Sequence, residues 1–355
     1  LSRPVSNMER TLLALPCRFG GLGLVVPSSM AVQHQSSLAI TDSLVQRILR
    51  QDPSLGDALV SIRTQKRLAT SQSRDALRAE VTMITATLDA DQQRVIQLAS
   101  EKGASSWLTC RPLARHGFSL SKGEFRDGVY LRYNWLPDRL PSDCSCGARF
   151  TTCHALFGPT GGFPSIRHNE VRDITASLLK KVAHNVAVEP HLQPVTGEQF
   201  RYRSAIVEEQ ARLDVAASGR FERTFVDVRV FNPYASSNRA TSLASTYTRQ
   251  EKEKRRAYEQ RIRDVEHASF VPAVFATTGG MSRHCTALYK RIACLLAEKS
   301  KEPYSVVMAW VRCRLSFALL RASVMCLRGS RSLKVSVDST TPASLVAAEA
   351  VIPGH

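Results

Sequence analysis

The chain has 355 residues, with 48 Lys and Arg against 31 Asp and Glu, for a formal net charge of +17. That balance excludes an acidic or neutral surface and points to a polyanion partner, nucleic acid ahead of anionic membrane. With 43% apolar residues the chain can bury real cores, and its length accommodates two or three domains.

Leu1 to Phe19 carry Arg3, Glu9, Arg10 and Arg18 with no compact apolar stretch, unlike a secretory leader. The most apolar segment, Val306 to Leu327, is interrupted by Arg312, Arg314 and Arg321, so no membrane span and no membrane partner are expected. The nine cysteines are too sparse for a disulfide scaffold, and the chain reads as intracellular. It opens on Leu rather than Met, as a piece of a longer polypeptide would.

Residues 1–138 read as mainly helical. Pro27 and Ser28 precede a helical pattern through Ile48, and Arg74 to Lys102 holds Leu77, Val81, Ile84, Leu88, Val95, Ile96 and Leu98 at helical spacing. Phe19-Gly20-Gly21-Leu22-Gly23-Leu24 lacks any phosphate-loop arrangement and reads as a tight turn. Residues 139–166 form a second region, where Cys144, Cys146, Cys153 and His154 cluster before a glycine and proline loop, Gly158 to Pro164.

Residues 167–334 read as a third region of mixed α/β character. Val171, Ile174, Leu178 and Val182 predict an amphipathic helix over 169–184. Strands are predicted over 186–189, stopped by Pro190, and over 212–217, 224–231 and 270–276, with a charged helix over 247–267 before the last. Two helices follow, from Ser282 to about Lys299 and from Pro303 to about Leu327, with Gly329 just past the end. The order is αβββαβ with C-terminal helices. Residues 335–355 read as a loose tail.

Chemistry concentrates on the central strands. Alternation puts Val226, Val228 and Val230 on a core face and Asp227 with Arg229 on the other. If 212–217 and 224–231 form a hairpin, Asp214 and Asp227 are equidistant from a turn centred between residues 220 and 221, so two carboxylates face one another. Like charges opposed across strands call for a cation between them. A Mg²⁺ (or Mn²⁺) bound by Asp214 and Asp227 is the usual apparatus for phosphodiester hydrolysis, with Glu189 a third carboxylate nearby. The alternative is that Asp214 is a solvated residue paired to Arg212 or Arg229.

The ordered series Cys144-Ser145-Cys146-Gly147, His154, Arg167-His168-Asn169, Val188-Glu189-Pro190, Asp214 and Asp227-Val228-Arg229-Val230 resembles the C-terminal part of non-LTR retrotransposon proteins. These carry a restriction-like endonuclease of the PD-(D/E)xK type behind a reverse transcriptase. Residues 8–50, with Leu15-Pro16 and Gly20-Gly21-Leu22-Gly23, are similar to the end of such a reverse transcriptase's thumb. The resemblance implies a restriction-endonuclease-like core with Glu189, Asp214, Asp227, Arg229 and Lys254 as catalytic residues. It implies DNA as the partner, with element RNA a second one, and a nuclear site of action. No Tyr/Phe-x-Asp-Asp turn is present, so no polymerase activity is expected.

The chain departs from that family at three points. Leu213 stands where a proline would precede the first aspartate. Arg229 stands where the wider fold has lysine, and arginine holds its proton too firmly to be a base, so Lys252 or Lys254 on the following helix would compensate. The zinc knuckle has Cys144, Cys146 and His154 but Phe157-Gly158 where a fourth ligand belongs. Cys153 is a substitute awkwardly adjacent to His154, so a closed Zn²⁺ site and a decayed one stand as equal alternatives. Cys285, Cys294, Cys313 and Cys326 read as core thiols. Arg167, His168, Arg172, Lys180 and Lys181 are candidate phosphate contacts, as is the Arg261 to Arg263 end of the charged helix. The rival to an endonuclease is a nuclease-dead, basic nucleic-acid-binding remnant.

Overall fold

A computed structural model of the chain describes residues 4–24, 27–158, 160–219 and 222–329. It divides into two compact units, Leu1–Ser100 and Glu101–His355. The tail expected over 335–355 lies outside the described residues, as does Arg220 of the expected hairpin turn.

The first unit is helical. Helix α1 (Asn7–Ala14) starts at a capping box in which Ser6 and Glu9 satisfy each other's backbone amides. Helix α2 (Pro27–Leu49) packs against α3 (Leu55–Ala86), and α4 (Ala90–Ala99) follows a second capping box, Asp89 with Gln92. The periodic run from Arg74 is therefore broken at Thr87–Asp89 and does not form one helix. The glycine run is the tight turn its composition predicts. Gly20 has φ +90°, and a Cβ on Gly21 would lie 1.8 Å from the Leu15 carbonyl oxygen.

The second unit begins with α5 (Ser106–Thr109), α6 (Lys122–Arg132) and α7 (Thr152–Phe157). Next come α8 (Phe163–Lys180), β1 (Asn185–Val188), β2 (Val215–Ser218), β3 (Thr224–Phe231), α9 (Ser236–Arg239), α10 (Leu243–Asp264), β4 (Ser269–Ala276), α11 (Arg283–Ser300) and α12 (Tyr304–Arg328). The sheet order is β1-β2-β3-β4, antiparallel except for the parallel pair β3 and β4. The predicted α/β class and element order are present, and β3 has the predicted bounds. Helix α8 begins six residues before the predicted 169, because Pro164 is accommodated in its first turn.

One sheet face buries Val215, Val226, Val228, Ala273 and Phe275 against α8, α11 and α12. The other packs Phe225 and Phe270 against Ile262 of α10 and against Leu192, Ala211 and Leu213 of the segment between β1 and β2. No described helix is long and apolar enough to cross a membrane.

The boundary expected near residue 138 falls inside the second unit, because α12 packs on α5, α6, α7 and α8 alike. Arg328 at its end donates to both carboxylate oxygens of buried Asp127 at 2.6 and 2.8 Å, and to the carbonyls of Asp138 and Arg139. This forked pair fixes the start of the knuckle to the sheet-bearing unit.

Strand β2 is shorter than predicted, beginning at Val215; Arg212 instead makes an isolated bridge with His191. The long 189–214 segment is strapped to α10. Arg261, 1% exposed, donates to the carbonyls of Gln193, Ile206 and Glu208 at 2.7 to 3.0 Å. That buried role corrects its reading as a phosphate contact. Arg261→Met is expected to destabilise the protein by about 3 kcal/mol, since three carbonyls lose charged donors. Amide hydrogen exchange should rise over 193–208 while β3 and β4 stay protected.

Candidate functional site

The strand registers assemble the acidic residues. Val188 pairs with Val215, and Val215 with Val226. One step further the same registers place Glu189, Asp214 and Asp227 in a row across three strands. The Glu189 amide donates to the Asp214 carbonyl at 2.9 Å.

Asp227 lies on the β3 face covered by α10 and is 5% exposed. Burial pushes its carboxyl up from the ordinary value; the Lys254 charge opposes the shift and the Asp214 charge adds to it. Lys254, one turn after Gln250 on α10, brings Nζ to 2.8 Å from Asp227 Oδ2. Lys254 is the one ion-pair partner of that buried oxygen among the described residues. Tyr258, at i+4 from Lys254, packs beside the pair, with Nζ 5.8 Å from its ring centre.

Asp214 stands at the bend just before β2 rather than within the strand. Its Oδ2 accepts from the Val228 amide at 2.5 Å, so the carboxylate takes the place of a ladder carbonyl beside β3. Its Oδ1 lies 2.7 Å from His168 Nε2. His168 and Arg172 share one stripe of α8 at i, i+4 spacing, and Arg172 reaches Glu189, with Asp173 as a further partner. Arg212 adds a weaker contact to Glu189 at 3.9 Å. Glu189 sits at φ +51° ahead of Pro190, a left-handed conformation that costs a non-glycine residue on the order of 1–3 kcal/mol. The three carboxylates do not gather into one ligand group among the described residues, and Glu189 is paired with Arg172 and Arg212 instead.

The other expected site residues are distributed around this centre. Arg229 follows Asp227 on the same face and pairs with Glu253 of α10 at 3.4 Å. Lys180 and Lys181 are exposed at the far end of α8, twelve residues or about 18 Å of helix from His168. Arg167 cannot meet a phosphate. It is 3% exposed and donates to the Leu156 carbonyl at 3.0 Å, because its position on α8 turns it inward toward α7 and α12.

The cysteine region forms a compact hairpin. The Cys144 amide donates to the Ala148 carbonyl, the Phe150 amide to that of Ser142, and Gly147 turns the chain at φ +83°. Thr151 caps α7 through the His154 amide, which aims the imidazole back at the hairpin. Cys144, Cys146 and His154 present ligand atoms all within 4.8 Å of one another, the one such group of three among the described residues. The Cys146 amide draws the Cys144 thiol down to about 6; burial opposes it, and His154 and Cys146 Sγ add smaller lowering effects. Two thiols and an imidazole are a soft donor set that fits zinc.

Cys153 is not part of the group. One residue before His154 on α7, it is rotated to the far side, where the Asn232 side chain donates to it at 3.4 Å. Gly158 does border the group. A Cβ there would stand 3.3 Å from His154 Nε2, so the position expected to carry a fourth donor is adjacent and empty of one. Of the later cysteines, 285 and 326 are buried, whereas Cys294 is exposed on α11 and leans toward Glu298 at i+4.

Sequence reasoning missed the His168–Asp214 contact, the capture of Glu189 by Arg172 and Arg212, and Tyr258. The i, i+4 pairs His168/Arg172 and Lys254/Tyr258 are the sequence signals that carried them.

No protein-family model matches this sequence, and no curated protein matches it.

Lys254→Met tests the central pair. It leaves a buried carboxylate without a counter-ion, at a cost of about 3 kcal/mol near neutral pH. A carboxyl whose pKa is raised in the fold adds stability that is present at low pH and lost as pH rises through that pKa. The deficit of Lys254→Met relative to wild type should therefore shrink on acidification, as Asp227 protonates; denaturant midpoints across a pH series measure it.

Proposed function

We propose that the second unit is a metal-dependent endonuclease of restriction-like type that nicks DNA by phosphodiester hydrolysis, as part of a retrotransposon-type polyprotein. The observation that carries this reading is the row of Glu189, Asp214 and Asp227 across three strands, with Lys254 of the following helix at Asp227. The buried carboxylate of Asp227 and that of Asp214 offer the hard oxygen donors that suit Mg²⁺ or Mn²⁺. Such an ion, when bound, supplies charge neutralisation at the phosphate and a more acidic water. Asp214 and Asp227 would hold it.

The chain's own residues divide the remaining work. Lys254 favours the ionised form of Asp227 against its burial and places a cation beside the aspartate pair. Arg229, permanently charged, can stabilise a phosphate but cannot remove a proton. His168 orients Asp214. The Cys144, Cys146 and His154 group would hold a structural Zn²⁺ that ties the hairpin to α7. A second reading, a nuclease-dead DNA-binding remnant, is favoured by one observation: Glu189 is held by two arginines away from the aspartate pair.

Plasmid nicking with and without Mg²⁺ separates the two. Asp227→Ala should abolish nicking while leaving DNA affinity at or above wild type, because a negative charge leaves the groove. Arg229→Lys should retain substantial activity. Nicking by Asp227→Ala at the wild-type rate would replace this reading with the remnant.

The zinc assignment has its own measurement. Metal analysis of purified protein should find about one zinc per chain in wild type and in Cys153→Ala, and little in Cys146→Ala or His154→Ala.

A further inference from the structure

Lys254 and Tyr258 account for one side of α10, the side over Asp227. The opposite side carries Arg249, Lys252 and Arg256 at spacings of three and four, so all three project from one outer face. Together with Glu253 and small residues of the first turns they line a shallow concavity of about 640 Å³. The one carboxylate there is already engaged, since Glu253 pairs with Arg229 at 3.4 Å. Lys252 and Arg256 make no ion pair among the described residues. Arg249 is aimed by backbone and amide acceptors, Ser237 O at 3.0 Å and Asn238 Oδ1 at 2.5 Å, which fix it without cancelling its charge.

A second element adjoins this face. Tyr202, 38% exposed, lies on the strap between β1 and β2, with the guanidinium carbons of Arg256 and Arg201 at 5.6 and 5.4 Å from its ring centre. The strap is bound to α10 there, as the Arg201 amide donates to Gln260 Oε1 at 2.9 Å and Gln260 Nε2 to the Gln199 carbonyl at 3.0 Å. An aromatic ring beside two guanidiniums restrains their rotamers and leaves their N–H edges free for oxygen acceptors. From Arg249 to Arg256 the helix rises about 10 Å, enough to meet several successive phosphates.

The geometry points to the outer face of α10, with Arg201 and Tyr202 of the strap, as a docking surface for the phosphate backbone of duplex DNA outside the cleavage centre. The choice of DNA rests on the nuclease reading; the preference for a polyanion rests on the charge of the face alone. Contacts of this kind position a duplex without reading its sequence.

The test uses the full chain carrying Asp227→Ala, so that DNA stays uncut, and measures its affinity for a labelled blunt duplex over a range of salt. The triple change Arg201→Ala, Lys252→Ala and Arg256→Ala should reduce the slope of log affinity against log salt by about 2 to 3, at roughly 0.9 per phosphate contact. Lys252→Ala alone, whose side chain supports nothing else, should reduce it by about 0.9. An unchanged slope in both variants overturns the proposal, and so does a slope that changes on duplex RNA but not on DNA. Wild-type protein that fails to nick under Mg²⁺ while the variants lose slope sinks the nuclease reading and leaves the surface standing. Normal nicking with unchanged slopes sinks the surface alone.

Discussion

A buried carboxylate on a central strand dominates the second unit. Asp227 sits on β3, between β2 and β4, under a helix, where an ionised group is stable only with a counter-ion at contact distance. Lys254 meets that need, which requires α10 to lie over β3 with one particular face inward. The strap locks that rotation, since Arg261 turns toward the carbonyls of Gln193, Ile206 and Glu208 from the same helix. The 25 or so residues between β1 and β2 are therefore not idle loop; they hold the lysine in register with the aspartate.

The opposite sheet face serves a different purpose. Its centre is apolar, and α12 extends that packing to the helices that precede the sheet. The forked pair between Arg328 and Asp127 closes that assembly at its far end. The cysteine hairpin is thus part of the same compact unit as the acidic row.

The legible parts of the sequence were those governed by short-range periodicity. The β-branched run of β3, the valine alternation around Asp227 and the caps at Ser282 and Pro303 are local patterns. So is the spacing about the hairpin turn, and the observed register of Val215 with Val226 is the one it predicts. What escaped depended on rotation and reach. Whether Arg167 faces core or solvent is decided by a few tens of degrees about α8, and whether Cys153 can join His154 by one residue's rotation about α7. The partners of Glu189 come from α8 and from the far end of the strap, at sequence separations that no local pattern encodes.

Strand β1 is an outer strand of the sheet, with three of its four residues exposed. Among the described residues no further strand pairs with its outer edge, the kind of surface on which another extended chain could add. The left-handed turn at Glu189 and the missing amide of Pro190 end that edge after a single short run. The distorted residue whose carboxylate the two arginines hold also shortens the straight edge open to a neighbouring polypeptide.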